Sequence, residues 1–306
     1  MIRKVIKGKL RVLFNYCDKK KWNIGFFEYS DEFFYSNKKV NIKVLKHNYK
    51  DKWFADPFIL NVSKEKIQLL VEEFDENINK GRIAKLTINR KNFELESLKI
   101  VLEKKYHLSF PAIFVDHKRN IFVYPENCKS GSLFKYNYNT VSENLDNPDL
   151  IIKEPLVDSL LLSFKKNKYL FSTTKNNSNG NNLRIYVKEK QKYKLLEIIQ
   201  LTEKNARNAG DFIKLKDMLI RPSQDCNKSY GGGIIFQELS IKKEKISFKN
   251  IKRFYSNLYR YPLGLHTFNI KNDLAVVDVL GYKYFILGNI YNFIRKLYFN
   301  LKNQIN

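Results

Sequence analysis

Five short polar constellations, each set in a strand-like stretch, recur along the chain at intervals of roughly 45 to 55 residues. They begin at Phe54, His107, Asp158, Ala209 and Gly264. Each interval also holds about three short runs of alternating apolar residues, which is enough chain for one four-stranded sheet. This rhythm predicts an all-β chain folded as a five-bladed β-propeller.

The blades can be assigned from the apolar runs. We predict the first four blades over residues 54–103, 110–153, 158–200 and 210–251, and two strands of the fifth over 264–279. The runs Trp22 to Tyr29 and Val40 to Leu45 are available to complete the fifth blade and to join the ends of the ring. The alternative is an open β-sandwich array whose spacing is accidental.

The chain divides into three predicted parts, with one large domain between two basic ends. A basic segment covers residues 1–20, the propeller covers 21–282, and a short C-terminal amphipathic helix covers 283–306. Closed all-β domains often reach this length, and no linker rich in Pro, Gly or Ser divides the chain. From Tyr284 to Asn300, apolar residues recur at three- and four-residue spacing, which predicts the helix.

Cysteine usage and the N-terminus favour a cytoplasmic protein. Cys17, Cys128 and Cys226 are odd in number and far apart, which suggests neither a disulfide framework nor a zinc site. The stretch from Met1 to Phe14 is basic but lacks the apolar region of a secretory signal. No run approaches the length of a membrane span.

The net charge requires an anionic partner or a compositional cause. The chain has 56 Lys and Arg against 31 Asp and Glu, a formal charge of +25. A bilayer with anionic lipids suits the basic residues of the two ends, which are Arg3, Lys4, Lys7, Lys9 and Arg11 at the N-terminus and Lys283, Arg295, Lys296 and Lys302 in the helix. Alternatively, the helix packs on the side of the propeller and its lysines are solvated. We expect no nucleic-acid partner, because no binding motif is present and the basic residues are dispersed.

Polar residues that interrupt the apolar strands are the candidate site. The first strand of each blade lines the channel, and side chains at the ends of the second strands fall at similar heights around the ring. We expect the following residues to converge on one pocket: Asp56, Glu73, Glu126, Arg221, Asp225 and Asp278, with His107 and His266. The alternative is that Asp56 caps a turn before Pro57 and that Arg221 and Asp225 pair to hold a loop.

The residue types indicate sugar and phosphate chemistry. Several carboxylates around a polar cavity suit sugar hydroxyls, and two at a suitable separation suit glycosyl transfer or hydrolysis. Arg221 and the histidines suit an anionic group, because arginine offers phosphate a planar fork of donors. A site with both kinds of residue fits a nucleotide sugar or a phosphorylated glycan.

A series of motifs resembles the N-terminal domain of plant glucosamine inositolphosphorylceramide transferases and its stand-alone bacterial relatives. The resemblance extends from about Trp22 to Asp278, and Gln224 and Tyr230 join the substrate-binding candidates through it. The motifs are Trp22-Asn23-Ile24-Gly25, Phe54-Ala55-Asp56-Pro57-Phe58, Glu72-Glu73-Phe74, Gly81-Arg82-Ile83, His107-Leu108-Ser109-Phe110-Pro111, Pro125-Glu126, Ala209-Gly210, Leu219-Ile220-Arg221-Pro222-Ser223-Gln224-Asp225, Tyr230-Gly231 and Gly264-Leu265-His266-Thr267.

The resemblance implies a role in glycan or glycolipid assembly, with bacterial members expected in surface polysaccharide synthesis. More distantly, the Ala-Asp-Pro opening and the five blades are similar to furanosidase-type glycoside hydrolases and related phosphorylases and transferases. One departure is Arg207-Asn208-Ala209-Gly210, where the family tends to show Arg-Pro-Ala-Gly. We expect the loss of that proline to loosen the turn.

The leading hypothesis is a glycosyltransferase-like protein, peripheral on the inner face of the membrane. It would move a sugar from a nucleotide-sugar donor to a lipid-linked or glycan acceptor. Asp56 would be the base or nucleophile, with Glu126 or Glu73 as the second carboxylate. Two alternatives stay open: a non-catalytic glycan-binding propeller that assists a partner transferase, and a glycoside hydrolase, which the missing export signal disfavours.

The remaining candidates are assigned to binding. Arg221, His107 and His266 would hold the donor phosphates. The chain contains no Asp-x-Asp element, so we expect no essential divalent metal, and we expect no cofactor.

Overall fold

The computed structural model describes residues 17–242 and 245–305, so the N-terminal basic residues from Arg3 to Arg11 lie outside the described part. Two helices are present in this part, α1 (Glu32–Tyr35) and α2 (Phe285–Ile305). The strands are β1 (Lys20–Glu28), β2 (Lys43–Val44), β3 (Lys52–Val62), β4 (Lys66–Asp75), β5 (Lys80–Asn89), β6 (Leu95–Leu102), β7 (Ser109–Val115), β8 (Ile121–Glu126), β9 (Leu133–Asn139), β10 (Asn144–Ile152), β11 (Leu156–Phe164), β12 (Asn167–Thr174), β13 (Asn182–Glu189), β14 (Lys192–Gln200), β15 (Ile213–Leu215), β16 (Met218–Asp225), β17 (Gly233–Lys242), β18 (Lys245–Phe254), β19 (Phe268–Lys271) and β20 (Leu274–Tyr282). Two 3₁₀ turns cover Cys128–Ser130 and Lys175–Asn177.

The strands form five four-stranded antiparallel sheets, which confirms the predicted five-bladed propeller. Strands β3 to β6, β7 to β10, β11 to β14 and β15 to β18 each make one blade in chain order. The fifth blade has the order β19-β20-β1-β2. In it, Gly25 of β1 pairs with Val277 on one side and with Val44 on the other. The N-terminal strands therefore close the ring, as the two unassigned runs predicted.

The core lies between neighbouring blades. Between the fifth and first blades, Ile24 and Phe26 of β1 pack with Ile67 and Leu69 of β4. Similar apolar clusters separate the other blades. Because each blade is covered on both faces, its middle strands are buried on both faces, and residues 69–73 of β4 are all buried.

The inner strands of three blades carry the same irregularity at the centre of the ring. Asp56, Phe110 and Asp158 adopt left-handed backbone conformations with φ of 50°, 43° and 49°. The pairing register shifts at each of these positions, as in a β-bulge. Non-glycine residues enter this region at an energetic cost, so the repeated irregularity marks a constrained site.

Helix α2 leaves the propeller directly after β20. Phe285 packs edge-on against Tyr259, with ring centroids 4.9 Å apart. A side chain at Gly288 would collide with Tyr282, because a Cβ there would lie 2.2 Å from the Tyr282 ring. The helix is thus held close to the propeller at its first turn. None of the described helices is long and apolar enough to cross a membrane.

Candidate functional site

Four buried side chains join the first and fifth blades at the channel. Asp278 accepts the backbone N–H groups of His266 (2.8 Å) and Thr267 (3.0 Å) on Oδ1, and that of Asp56 (3.0 Å) on Oδ2. His266 Nδ1 lies 2.6 Å from Asp278 Oδ2. Asp56 in turn accepts the Thr267 hydroxyl at 2.9 Å and the backbone N–H of Phe110 at 3.0 Å. A single network therefore ties three blades together.

The pKa values of the three titratable groups in this network are shifted in different ways. Burial raises the pKa of Asp56 to about 6, helped by the nearby Asp278 and Asp158 carboxylates and opposed by His266. Burial would also raise the pKa of Asp278, but His266 and the N–H donors outweigh it and lower that pKa. Burial lowers the pKa of His266, and the charges of Asp278 and Asp56 reverse the effect and raise it. Asp278 and His266 thus form an ion pair beside a carboxyl that holds its proton more readily.

Glu72 and His107 form a second element of the centre. His107 Nδ1 accepts the Gly81 N–H at 3.0 Å, so the ring hydrogen is on Nε2. Nε2 lies 3.2 Å from Glu72 Oε1, and this oxygen is buried without a hydrogen-bond partner among the described residues. Burial lowers the pKa of His107 to about 4, and the Lys129 charge adds to the shift. Burial raises the pKa of Glu72 well above its usual value, as do the charges of Asp56 and Glu126. This pair is held in its uncharged form.

On the opposite side of the channel, Asp158 is the hub. Its Oδ2 accepts Arg207 Nε at 2.7 Å and Gln224 Nε2 at 3.0 Å. Glu126 Oε2 lies 3.9 Å from Arg207 Nη2. Burial and the Asp158 charge raise the pKa of Glu126, although Arg207 opposes the rise. A carboxyl that holds its proton therefore lies close to a carboxylate that is paired with a guanidinium.

Aromatic rings cover one side of these groups. Trp22 stacks on the His266 ring with centroids 3.9 Å apart, and Tyr230 meets His266 edge-on at 5.3 Å. The Arg207 guanidinium lies over the Tyr230 ring at 4.8 Å. Aromatic faces of this kind suit the apolar face of a sugar ring and the spread charge of arginine.

The exposure of the side chains shows where the site opens. Asp278 and His266 are 0% and 2% exposed, whereas Glu126, Arg207 and His107 are 11%, 13% and 29% exposed. Solvent therefore reaches the cluster from the side of the second blade and of the segment before β15. We call this opening, with Glu126, Arg207, His107 and Tyr230 around it, the channel mouth.

Most of the predicted site residues come together here. The structure unites seven of them: Asp56, Glu126, His107, Gln224, Tyr230, His266 and Asp278. Their roles remain predictions. Three predicted residues lie elsewhere, namely Glu73, Arg221 and Asp225.

Arg221 is buried in a structural network. Its guanidinium donates to Asn208 Oδ1 at 2.7 Å, to Gln237 Oε1 at 2.6 Å and to the backbone oxygen of Ala206. Burial lowers its pKa to about 9. Because the side chain is fully buried among protein acceptors, it cannot meet donor phosphates as predicted.

Glu73 and Asp225 are held by cations away from the centre. Arg82 binds Glu73 through two 2.9 Å hydrogen bonds, and Lys52 lies 3.2 Å away. Glu73 points away from the channel because side chains alternate along a strand and its neighbour Glu72 points towards it. Asp225 accepts the Tyr255 hydroxyl at 2.7 Å and pairs with Arg253 at 3.2 Å, so it does not pair with Arg221 either.

Asn208 stands where the family tends to have a proline, and its side chain holds the turn that the loss of this proline was expected to loosen. Its Nδ2 donates to the backbone oxygens of Asp158 at 2.6 Å and Phe171 at 2.9 Å, and its Oδ1 accepts from Arg221. A proline cannot make these bonds. The asparagine thus fixes the segment that carries Arg207.

Sequence reasoning missed Glu72, Asp158, Arg207 and Trp22 as site residues. Asp158 opens one of the five constellations and shares the left-handed conformation of Asp56, so its place in the repeat was an available signal. Arg207 lies outside any strand, in the segment between β14 and β15. No periodicity marks such a residue.

Asp56, His266 and Asp278 are also a candidate set of metal ligands, since one atom of each lies within 4.8 Å of the others. The Asp278 oxygens already accept four hydrogen bonds from the protein. A cation would have to displace His266 from Asp278. The expectation that no divalent metal is essential stays a prediction.

Comparison with known proteins assigns the family. A family model described as glucosamine inositolphosphorylceramide transferase 1, N-terminal, matches residues 37–257. This chain belongs to that family. The protein named glucosamine inositolphosphorylceramide transferase 1 from Oryza sativa subsp. japonica is 26% identical over 219 residues, which are 69% of this chain and 29% of the relative. The protein of the same name from Arabidopsis thaliana is 27% identical over 203 residues, 62% of this chain and 26% of the relative. The chain therefore covers less than a third of these relatives.

Solved structures share the fold at low identity. A thermostable family-43 glycoside hydrolase matches with a TM-score of 0.54 at 11% identity, over 70% of this chain and 83% of that chain. An exo-β-1,3-galactanase from Clostridium thermocellum matches with a TM-score of 0.52 at 11% identity, over 74% of this chain and 59% of that chain. The expected distant likeness to glycoside hydrolases is confirmed at the level of the fold.

Proposed function

We propose that this protein is a glycosyltransferase of polysaccharide or glycolipid assembly that moves a sugar from a nucleotide-sugar donor to a lipid-linked or glycan acceptor. One observation carries the proposal. At the channel mouth, the proton-holding carboxyl of Glu126 lies beside the Asp158 carboxylate and the Arg207 guanidinium. Membership of a family named after a sugar transferase supports it.

The residues take complementary roles in this proposal. The acceptor oxygen bonds to the anomeric carbon of the sugar, and the bond from that carbon to the donor phosphate oxygen breaks. Glu126 gives its proton to the departing phosphate oxygen, because a carboxyl of raised pKa is a competent acid near neutral pH. Asp56, on the innermost strand, acts either as the base that takes the proton of the acceptor hydroxyl or as the nucleophile that bonds to the anomeric carbon until the acceptor displaces it. Tyr230, an exposed ring at the channel mouth, stacks on the sugar.

The donor phosphates are assigned to cations at the mouth rather than to Arg221. Arg207 is the partly exposed guanidinium of the site and remains charged, since Asp158 and Glu126 raise its pKa against the effect of burial. The charge of Lys129 reaches His107, and that of Lys175 reaches Cys128 beside Glu126. Together they supply the positive field that a diphosphate requires.

The test is a screen of nucleotide sugars by thermal shift and nucleotide release, with and without EDTA. We expect one donor to raise the melting temperature and to release nucleotide slowly without added metal. Glu126→Gln should keep the shift and slow release by about 100-fold or more. The control is Glu197→Gln, an exposed carboxylate of β14. Equal release by Glu126→Gln and the control would contradict the proposal.

A non-catalytic glycan-binding role is the second candidate, and one observation favours it. The oxygens of Asp56 and Asp278 already accept hydrogen bonds from the protein, as in a structural network. This role predicts thermal shifts with free oligosaccharides, no turnover of any donor, and sugar binding that partly survives Asp56→Asn. Release of free sugar from glycosides would instead indicate a hydrolase.

A further inference from the structure

A basic groove lies between the fifth and first blades. Trp22 lines it and separates it from the buried His266 of the candidate site. The volume of the groove is about 1640 Å³. We call it the rim groove. Six cationic side chains and two carboxylates line it: Lys21, Lys46, Lys50, Lys52, Arg260 and Lys283, with Glu94 and Glu96.

The positive charge of the rim groove is only partly compensated. Lys52 pairs with Glu73 and Asp75, and Lys46 lies 4.0 Å from Glu94. Lys21 and Lys283 share one carboxylate, that of Glu76, with Lys21 at 3.3 Å. Burial lowers the pKa of Lys21 and the Lys283 charge lowers it further, against the effect of Glu76. Lys50 and Arg260 have no ion-pair partner within residues 17–242 and 245–305. The groove therefore attracts an anion.

Hydrogen-bonding groups in the groove fit a phosphate. His47 lines it and has a buried Nδ1 that meets no hydrogen-bond partner among the described residues. Burial and the Lys21 charge lower the pKa of His47 to about 4. A neutral imidazole can donate to a phosphate oxygen, and an anion would relieve the repulsion that Lys21 imposes.

Helix α2 begins at the same place and carries an uncovered apolar stripe. Lys283 and Tyr284 line the groove, and Phe285 opens the helix. The stripe follows the helical repeat, and its members are 46% to 70% exposed: Ile286, Ile290, Phe293, Ile294 and Leu297. A stripe of this length is normally covered by another surface.

We propose that the rim groove and the α2 stripe form one membrane-docking surface, in which the groove holds the phosphate headgroup of an anionic lipid and the helix lies in the headgroup region. The formal charge of +25 complements an anionic bilayer. The proposal concerns where the protein binds, and it stands whether or not the channel mouth transfers sugars.

The test is flotation of the full chain with vesicles of phosphatidylcholine alone or with added phosphatidylglycerol. We expect partition to require the anionic lipid. Lys50→Gln combined with Arg260→Gln should weaken partition about tenfold or more, since each cation near the surface contributes about 1 kcal/mol. Ile290→Gln combined with Phe293→Gln should weaken it at least as much.

The matched control is Lys166→Gln combined with Lys190→Gln, which removes two exposed lysines of the third blade. Its partition should be within about threefold of that of the unchanged chain. Because both double variants lose two positive charges, the comparison separates the effect of the groove from that of the total charge. Equal flotation with neutral vesicles, or equal loss in the control, would overturn the proposal. So would binding of soluble glycerol phosphate without flotation, or an oligomer in solution that the stripe variant dissociates, since a second copy would then cover the stripe.

Discussion

Glu72 and Glu73 are buried neighbours on one strand, and their side chains have opposite electrostatic surroundings. Glu73 faces an ion-pair cluster of the first blade, where Arg82 grips it with two hydrogen bonds and Lys52 adds a third contact. Glu72 faces the channel, where its neighbours are other carboxylates and an uncharged His107. One region neutralises its carboxylates with cations, and the other leaves them to hold protons.

The difference separates stabilisation from chemistry. The carboxylate of Glu73 is bound by two cations and holds neighbouring strands together. Carboxyls that crowd one another in a buried site have pKa values pushed apart, which is how proteins obtain an acid and a base from the same residue type. The centre of the ring has this second arrangement.

The largest expected effect comes from breaking the cation cluster. Arg82→Leu leaves Glu73 buried with Lys52 as its remaining close cation, and we expect the free energy of unfolding to fall by about 3 kcal/mol. Urea denaturation of the variant and of the unchanged chain measures this difference in the free energy of unfolding. A loss below about 1 kcal/mol would mean that the first-blade cluster is not an anchor of the fold.

An intermediate effect is expected from the pH dependence of stability. The folded-state pKa of His107 is about 4, below the ordinary 6.5. Between these pH values the unfolded chain binds the proton and the folded protein does not, so the contribution of His107 to the free energy of unfolding rises with pH across this window. The raised pKa values of Asp56, Glu72 and Glu126 act in the opposite direction and are common to the variant and its control.

His107→Gln keeps an acceptor for the Gly81 N–H and removes the titrating imidazole. The rise of the free energy of unfolding between about pH 4 and 6.5 should therefore be about 2 kcal/mol smaller in the variant. Unfolding at a series of pH values, with His117→Gln as an exposed control, measures it. His47 has the same direction of shift and contributes to the profile with the same sign. An unchanged pH profile in His107→Gln would contradict the description of the centre.

The smallest effect is expected for the centre itself. Glu72→Gln resembles the protonated acid that burial already favours, so stability at neutral pH should change by less than about 1 kcal/mol, or increase. Urea denaturation of Glu72→Gln beside Arg82→Leu makes the comparison direct. A loss from Glu72→Gln as large as that from Arg82→Leu would remove the distinction between the two regions.

The fold could be predicted from sequence because its repeat is long-range and regular. Each blade buries runs of alternating apolar residues. The two unassigned N-terminal runs were therefore expected to complete the fifth blade, and β1 indeed pairs with β20 while β2 pairs with β1. The site was only partly predictable. Residues 69–73 of β4 are buried on both faces, so the apolar pattern does not show which of Glu72 and Glu73 faces the channel.

Other errors have similar physical causes. Arg221 was chosen for its charge within an apolar strand, but its guanidinium holds the segment of Asn208 instead. Arg207 was overlooked because it belongs to no strand, although Asp158 directs it to the channel mouth. The contacts that decide these roles join residues far apart in sequence.

The most direct test of the account compares Glu126→Gln with Glu73→Gln in turnover of the nucleotide-sugar donor that the screen identifies. The account predicts a loss of about 100-fold or more for Glu126→Gln, with binding retained. Folded Glu73→Gln should keep turnover within about threefold, because its carboxylate lies in the cation cluster. Equal losses in the two variants, or none in Glu126→Gln, would contradict the claim that the chemistry lies at the channel mouth.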